Sequence, residues 1–114
     1  MQNNSKYKLE LNVQEPYLSL IKSGKKTVEG RLGKDKYFAL QKGDLIKIND
    51  LEVEVLGVRK YDSFRDMLMK EGIENVIPDA KDLESAVNVY YKFYSKEDEK
   101  KFGVAGISIK IKNV

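Results

Sequence analysis

Gly24-Lys25-Lys26-Thr27-Val28-Glu29-Gly30-Arg31, GKKTVEGR, stands between a segment of helical periodicity and one of extended character, and its reading decides the fold. Side chains on a strand alternate between faces, so a strand starting at Lys25 sends Lys25, Thr27, Glu29 and Arg31 one way and Lys26, Val28, Gly30 and Leu32 the other. Val28 and Leu32 then mark the core side. Glu29 and Arg31, roughly 7 Å apart along the opposite side, can pair with each other or across the sheet. Two readings stand side by side. One is a solvated charged face, the usual meaning of a charge run. The other is the floor of a polar site, for which Lys26 must lie in the bend before the strand and swing toward Glu29 and Arg31. Chemically that trio is coherent: Arg offers a planar fork of donors, Lys a compact charge whose pKa falls on burial, and Glu an acceptor or general base.

Working outward, Tyr7, Leu9 and Leu11 alternate with Lys8, Glu10 and Asn12, which predicts a half-buried strand. Pro16 opens a helix carrying Tyr17, Leu18, Leu20 and Ile21, and Lys22 and Gly24 suit its end. Beyond the motif, residues 33–36 read as a loop, and Tyr37-Phe38-Ala39-Leu40 fits either a helical or an extended piece. A turn at Gln41-Lys42-Gly43-Asp44 leads into Leu45, Ile46 and Ile48, and Asn49-Asp50 joins these in a hairpin to the strand 52–61. Ser63 can cap a helix with Phe64, Met67 and Leu68, and Asp79 or Asp82 a longer one with Leu83, Val87, Tyr90, Tyr91 and Tyr94. On that longer helix Tyr90, Phe93 and Tyr94 share a face assigned to core packing. Lys96 to Lys101 mixes signs and reads as a solvated helix end or loop. Ile107, Ile109 and Ile111 alternate with Ser108, Lys110 and Lys112, a closing strand that could be an exposed edge. The order β-α-β-β-β-α-α-β predicts an α+β protein: a frayed tail at 1–6, then one domain at 7–114, a small mixed sheet or incomplete barrel with helices inserted before the last strand.

The chain of 114 residues is 41% apolar, enough for one domain that buries about two-thirds of its unfolded surface. A net charge of +3 from 21 basic and 18 acidic side chains leaves any anion-binding surface to local clustering. Cysteine and histidine are absent, which excludes disulfides, thiolate nucleophiles, the usual zinc ligands and Ser-His or Cys-His relays. No metal site or cofactor is expected. The N-terminus lacks a signal-type apolar core and no run of apolar residues is long enough to span a membrane, so a soluble cytoplasmic protein is expected. Lys25, Lys26, Arg31, Lys34 and Lys36 cluster in sequence, and Arg59-Lys60-Tyr61 joins them if the sheet closes, giving a basic, partly aromatic rim suited to RNA.

Gly24, Lys26, Glu29 and Arg31 form the pattern Gly-x-Lys-x-x-Glu-x-Arg, which resembles the ASCH domains. The resemblance extends to Glu15-Pro16-Tyr17, the Lys42-Gly43-Asp44 turn, Val58 to Phe64, and Phe102 to Ile107. It implies a PUA-like mixed β-barrel of about five to six strands with flanking helices, and a cleft beside the barrel that binds RNA or a modified nucleoside. The ligand-binding set implied is Lys25, Lys26, Thr27, Glu29, Arg31, Arg59, Lys60 and Tyr61. The chain is also similar in size and layout to amidohydrolases that deacetylate N4-acetylcytidine with a lysine, a threonine three residues later and a downstream glutamate. Lys26 matches the lysine, but Glu29 stands in the place of the threonine, and Glu71 and Glu74 both lie near the third position. Three classes therefore remain open: RNA or nucleoside binding, hydrolysis (an amidohydrolase using Lys26, Glu29 and Glu71 or Glu74, or a metal-independent ribonuclease), and a protein-interaction module.

Overall fold

The computed structural model describes residues 6–112, so the tail expected at 1–6 lies, Lys6 apart, outside the described residues. Five strands and six helices follow one another along them: β1 (Tyr7–Leu11), α1 (Tyr17–Lys22), β2 (Val28–Leu32), α2 (Asp35–Phe38), β3 (Leu45–Ile48), β4 (Leu51–Tyr61), α3 (Phe64–Glu71), α4 (Ile73–Val76), α5 (Leu83–Tyr91), α6 (Lys96–Phe102) and β5 (Val104–Ile111). The strands form one mixed sheet in the order β1-β3-β4-β5-β2, with β1 parallel to β3 and the other pairs antiparallel.

The sheet is not closed into a barrel, which corrects the expected architecture. Its two edges, β1 and β2, make no ladder with each other among the described residues. A side chain spans them instead: Arg31 on β2 donates from Nη2 to the carbonyl of Asn12, just past the end of β1, at 3.1 Å. The closing strand β5 is not an edge, for it lies between β4 and β2. Its first four residues are all buried, as expected of a strand covered on both faces.

Two cores result. Ile46, Ile48, Val53, Val55, Ala105, Ile107 and Ile109 form one core with Leu11, Ile21 and Tyr37. Val28, Leu32 and Val104 face the other way and pack on Phe64, Met67 and Leu68 of α3, Val76 of α4, and Ala86, Val87 and Tyr90 of α5. The helices supply this second layer because their apolar residues recur on one face, and each of the three longest starts at a side-chain cap. Ser63 accepts from Asp66 N at 3.0 Å, Asp82 from Ser85 N at 2.8 Å, and Ser95 from Asp98 N at 3.0 Å.

Residues 37–40 resolve toward helix, as the end of α2 and its cap. The reading of Lys96 to Lys101 as solvated is corrected at Glu99. That carboxylate is buried, accepts from Phe64 N at 2.7 Å and from the Tyr91 hydroxyl at 2.6 Å, and so joins α6 to the starts of α3 and to α5. The hairpin forms at Asn49-Asp50, where Asn49 takes a left-handed φ of 54° that asparagine tolerates. Its side chain also accepts from Val13 N at 2.8 Å and donates to Val13 O at 3.3 Å, fixing the chain where it leaves β1.

Candidate functional site

Beside edge strand β2 lies a cleft of about 160 Å³. The segment Asn12 to Gln14 and Tyr17 form one wall, Tyr90, Phe93 and Tyr94 at the end of α5 another, and Lys26, Glu29, Gly30 and Arg31 line it between them.

Lys26 starts from the turn that ends α1, where its backbone N–H donates to Leu20 O at 2.9 Å. From there its side chain runs inward until it is 3% exposed. The ammonium donates to Val28 O and Val76 O, both at 2.7 Å, and lies 3.2 Å from Glu29 Oε1. An ammonium has three donors, so this one is fully committed. One of its acceptors, Val76 O, ties the motif to the end of α4, whose last carbonyls lack partners within the helix. Burial pulls the Lys26 pKa below the ordinary lysine value, against the opposing attraction of Glu29.

The Glu29 carboxylate is divided between two cations, since Oε2 accepts from Arg31 Nε at 2.9 Å. Each oxygen keeps a second lone pair for an incoming N–H. Arg31 gives one further donor to Asn12 O and retains others. Burial opposes its charge, but Glu29, with the Tyr94 and Tyr37 hydroxyls nearby, outweighs that and raises its pKa. Lys26, Glu29 and Arg31 thus converge although the strand itself begins only at Val28.

Gly30 makes room for the helical layer. A Cβ there would lie 2.7 Å from Met67 Cε and 2.8 Å from the Tyr90 hydroxyl, so the bare backbone of Gly30 leaves room for the ends of these side chains from α3 and α5 against β2. Tyr90 in turn stacks on Phe64, ring centroids 4.3 Å apart, and its buried hydroxyl has no hydrogen-bond partner among the described residues.

The other residues singled out in the sequence lie elsewhere. Lys25 and Thr27 are exposed; Thr27 lines a different hollow with Ile21, Leu56 and Lys110, while its backbone bonds Asn75 and Ile109. Arg59, Tyr61 and Glu71 form a second polar cluster: Glu71 accepts from Arg59 Nε and from the Tyr61 hydroxyl, both at 2.5 Å, and Arg59 also donates to Ser108 Oγ. Burial pushes the Glu71 pKa up, but Arg59 and Tyr61 outweigh it and hold it below the usual carboxylate range. Met67 lies between the two clusters, against Gly30 on one side and near Gly106 and Glu71 on the other. Glu71, Glu74, Arg59, Lys60 and Tyr61 therefore do not line the cleft of Lys26, Glu29 and Arg31.

Sequence reasoning missed the aromatic wall. Tyr90 does belong to the core, but Phe93 is 48% exposed and Tyr94 only half-buried, so both present ring surface at the cleft. The available signal was the crowding of Tyr90, Phe93 and Tyr94 where the helix ends. No group of His, Cys, Asp or Glu that could hold a metal ion occurs among the described residues, and no helix among them is long and apolar enough to cross a membrane.

A search of curated proteins finds no match. Among solved structures, the chain is similar to the crystal structure of hypothetical protein PH0355, with 48% identity over 91% of this chain and 98% of that one and a TM-score of 0.87. It is also similar to the solution NMR structure of protein PF0455 from Pyrococcus furiosus, with 44% identity over 93% of this chain and 98% of that one and a TM-score of 0.78. The model of the ASCH domain matches residues 11–113, a span that contains every wall of the cleft, and the chain belongs to that family.

Proposed function

We propose that this protein binds an unpaired nucleobase, of RNA or of a modified nucleoside, in the cleft beside β2. One observation carries the reading: the buried Glu29–Arg31 pair, 2.9 Å apart, sits between walls that include Tyr17, Phe93 and Tyr94. Aromatic faces stack on bases of any sequence, and an acceptor beside a guanidinium can read the donor and acceptor edge of one. At about 160 Å³ the cleft is smaller than the roughly 300–1,000 Å³ of pockets for drug-sized ligands, which suits one planar ring.

In this reading Glu29 accepts from a base N–H or amino group, Arg31 donates to a ring nitrogen or carbonyl, and Lys26 is a positioning residue. With its donors committed, Lys26 holds Glu29 in place. Hydrolysis by Lys26 together with Glu71 or Glu74 draws no support from the geometry, since neither glutamate lines the cleft. Isothermal titration with single nucleosides tests the proposal: saturable binding that Glu29→Gln and Arg31→Gln each weaken supports it, and absence of binding by every nucleoside overturns it.

A further inference from the structure

Buried polar groups without partners meet on the floor of the cleft, apart from the Glu29–Arg31 pair. Thr27 O accepts from Ile109 N, and Gly33 N donates to Gly103 O, both at 2.9 Å. Hydrogen-bonded residues alternate with unbonded ones along an antiparallel pair. In the β2–β5 register Glu29 and Arg31 are therefore bonded to β5, whereas Gly30, opposite Gly106, is not.

It follows that Val28, Gly30 and Leu32 turn their main-chain N–H and C=O groups away from β5, toward the edge that no strand covers among the described residues. Two of these carbonyls are satisfied: Val28 O accepts from Lys26 Nζ at 2.7 Å, and Leu32 O from Lys34 N at 2.8 Å. Between them, the N–H and C=O of Gly30 have no hydrogen-bond partner among the described residues, although Gly30 is buried and lines the cleft.

Tyr90 stands over the same residue. Its hydroxyl oxygen is the atom that a Cβ at Gly30 would meet at 2.8 Å, and it too is buried without a partner among the described residues. The charged and phenolic groups that act on it are Glu29, Tyr94, Arg31 and Tyr17, all of which line the cleft. Burial raises its pKa well above the ordinary tyrosine value, so the hydroxyl keeps its proton and can donate as well as accept. Stacking on Phe64 fixes the ring.

Buried polar groups are paired in nearly all folded proteins. Three unpaired ones at one point of a cleft are explained by an occupant that pairs them. A strand residue offers its donor and acceptor side by side in the plane of the sheet, so its natural complement is another edge of the amide kind. A carboxylate would set acceptors against the Gly30 carbonyl and Glu29, and a bare hydrocarbon ring would leave all three groups unpaired.

We infer that the free main-chain edge of Gly30 and the Tyr90 hydroxyl are ligand-binding groups, and that they select a planar ring carrying a hydrogen-bond donor next to an acceptor, a lactam or amidine edge. The inference rests on the base-binding reading and adds which edge of the ring enters first and which groups read it.

The test follows the Gly30 amide proton by NMR during titrations with uridine, cytidine and adenosine, with the form of each methylated on the donor nitrogen of that edge, and with pyridone, a planar lactam without a sugar. At least one nucleoside should move this proton downfield and saturate, and its methylated form should fail to. Tyr90→Phe should weaken that binding roughly two- to tenfold, the worth of one neutral hydrogen bond. Because the hydroxyl has no partner within the fold, the same variant without ligand should keep or raise the urea midpoint. Equal binding of a nucleoside and its methylated form overturns the inference, as does binding unchanged in Tyr90→Phe. A lowered urea midpoint in that variant overturns it too, by showing that the hydroxyl serves the fold. Pyridone bound at Gly30 and weakened by Tyr90→Phe, with no nucleoside bound, sustains the floor and rejects base binding. No binding by any of these molecules overturns both.

Discussion

Lys26 Nζ and Glu29 Oε1 lie 3.2 Å apart with side chains only 2% and 10% exposed, making an ion pair inside a protein whose other pairs, Glu29–Arg31 excepted, lie near the surface. Removing one partner of such a pair leaves the other charge buried, whereas replacing both is far milder. Lys26→Met should therefore lower the unfolding free energy by about 3–5 kcal/mol, and Lys26→Met/Glu29→Gln should recover part of the loss. Urea denaturation of both variants measures this. Equal losses would contradict the coupling.

Glu99 offers a second buried carboxylate of different purpose, since it joins three helices through Phe64 N and the Tyr91 hydroxyl. Glu99→Ala leaves both donors without their acceptor and should cost about 2 kcal/mol. Glu97→Ala, on the exposed side of the same helix, should leave the urea midpoint unmoved.

Gly30→Ala places a methyl group 2.7 Å from Met67 Cε. Overpacking of this kind costs roughly 1–3 kcal/mol. The shift should also register at Tyr90, one wall of the cleft, as a change in the aromatic NMR signals of Tyr90 and its stacking partner Phe64.

The Glu71 cluster makes a pH prediction. A carboxylate whose folded pKa lies below its unfolded value binds fewer protons in the native state, so its contribution is full above the ordinary value of 4.5 and is lost as pH falls through the folded value. Stability measured from about pH 5 to about pH 3 should thus fall less steeply in Glu71→Gln than in the parent chain. An identical slope would show that Arg59 and Tyr61 do not depress this group.

Much of this arrangement was legible in the residues. Period-two alternation at Ile107, Ile109 and Ile111 located β5, and the caps Ser63 and Asp82 located α3 and α5, because these signals are local. Sheet closure was not, since it depends on whether β1 and β2 meet, and Arg31 bridging to Asn12 leaves no pattern in the sequence. At the site, spacing alone put Glu29 and Arg31 on one side. The commitment of Lys26 to Val76, fifty residues away in the chain, is a tertiary contact that spacing cannot encode. Arg59 and Tyr61 were grouped with the cleft on the expectation that the sheet closes, and Glu71 through the resemblance to the amidohydrolases, yet the three form a cluster of their own outside the cleft lining.

Phe93 decides between core and cleft for the aromatic wall. At 48% exposure its truncation to alanine should barely alter stability, whereas loss of a stacking face should weaken base binding roughly five- to a hundredfold. Calorimetric titration of Phe93→Ala against the parent chain reads the binding, and urea denaturation of the two reads the stability.

The most direct measurement is an amide chemical-shift map of the protein titrated with single nucleosides. Base binding in the cleft predicts saturable shifts confined to Asn12 to Tyr17, Lys26, Glu29 to Arg31, Ile77 and Val89 to Tyr94, the segments that line it. Shifts that instead centre on Arg59, Tyr61 and Glu71, or no shifts with any nucleoside, would contradict it.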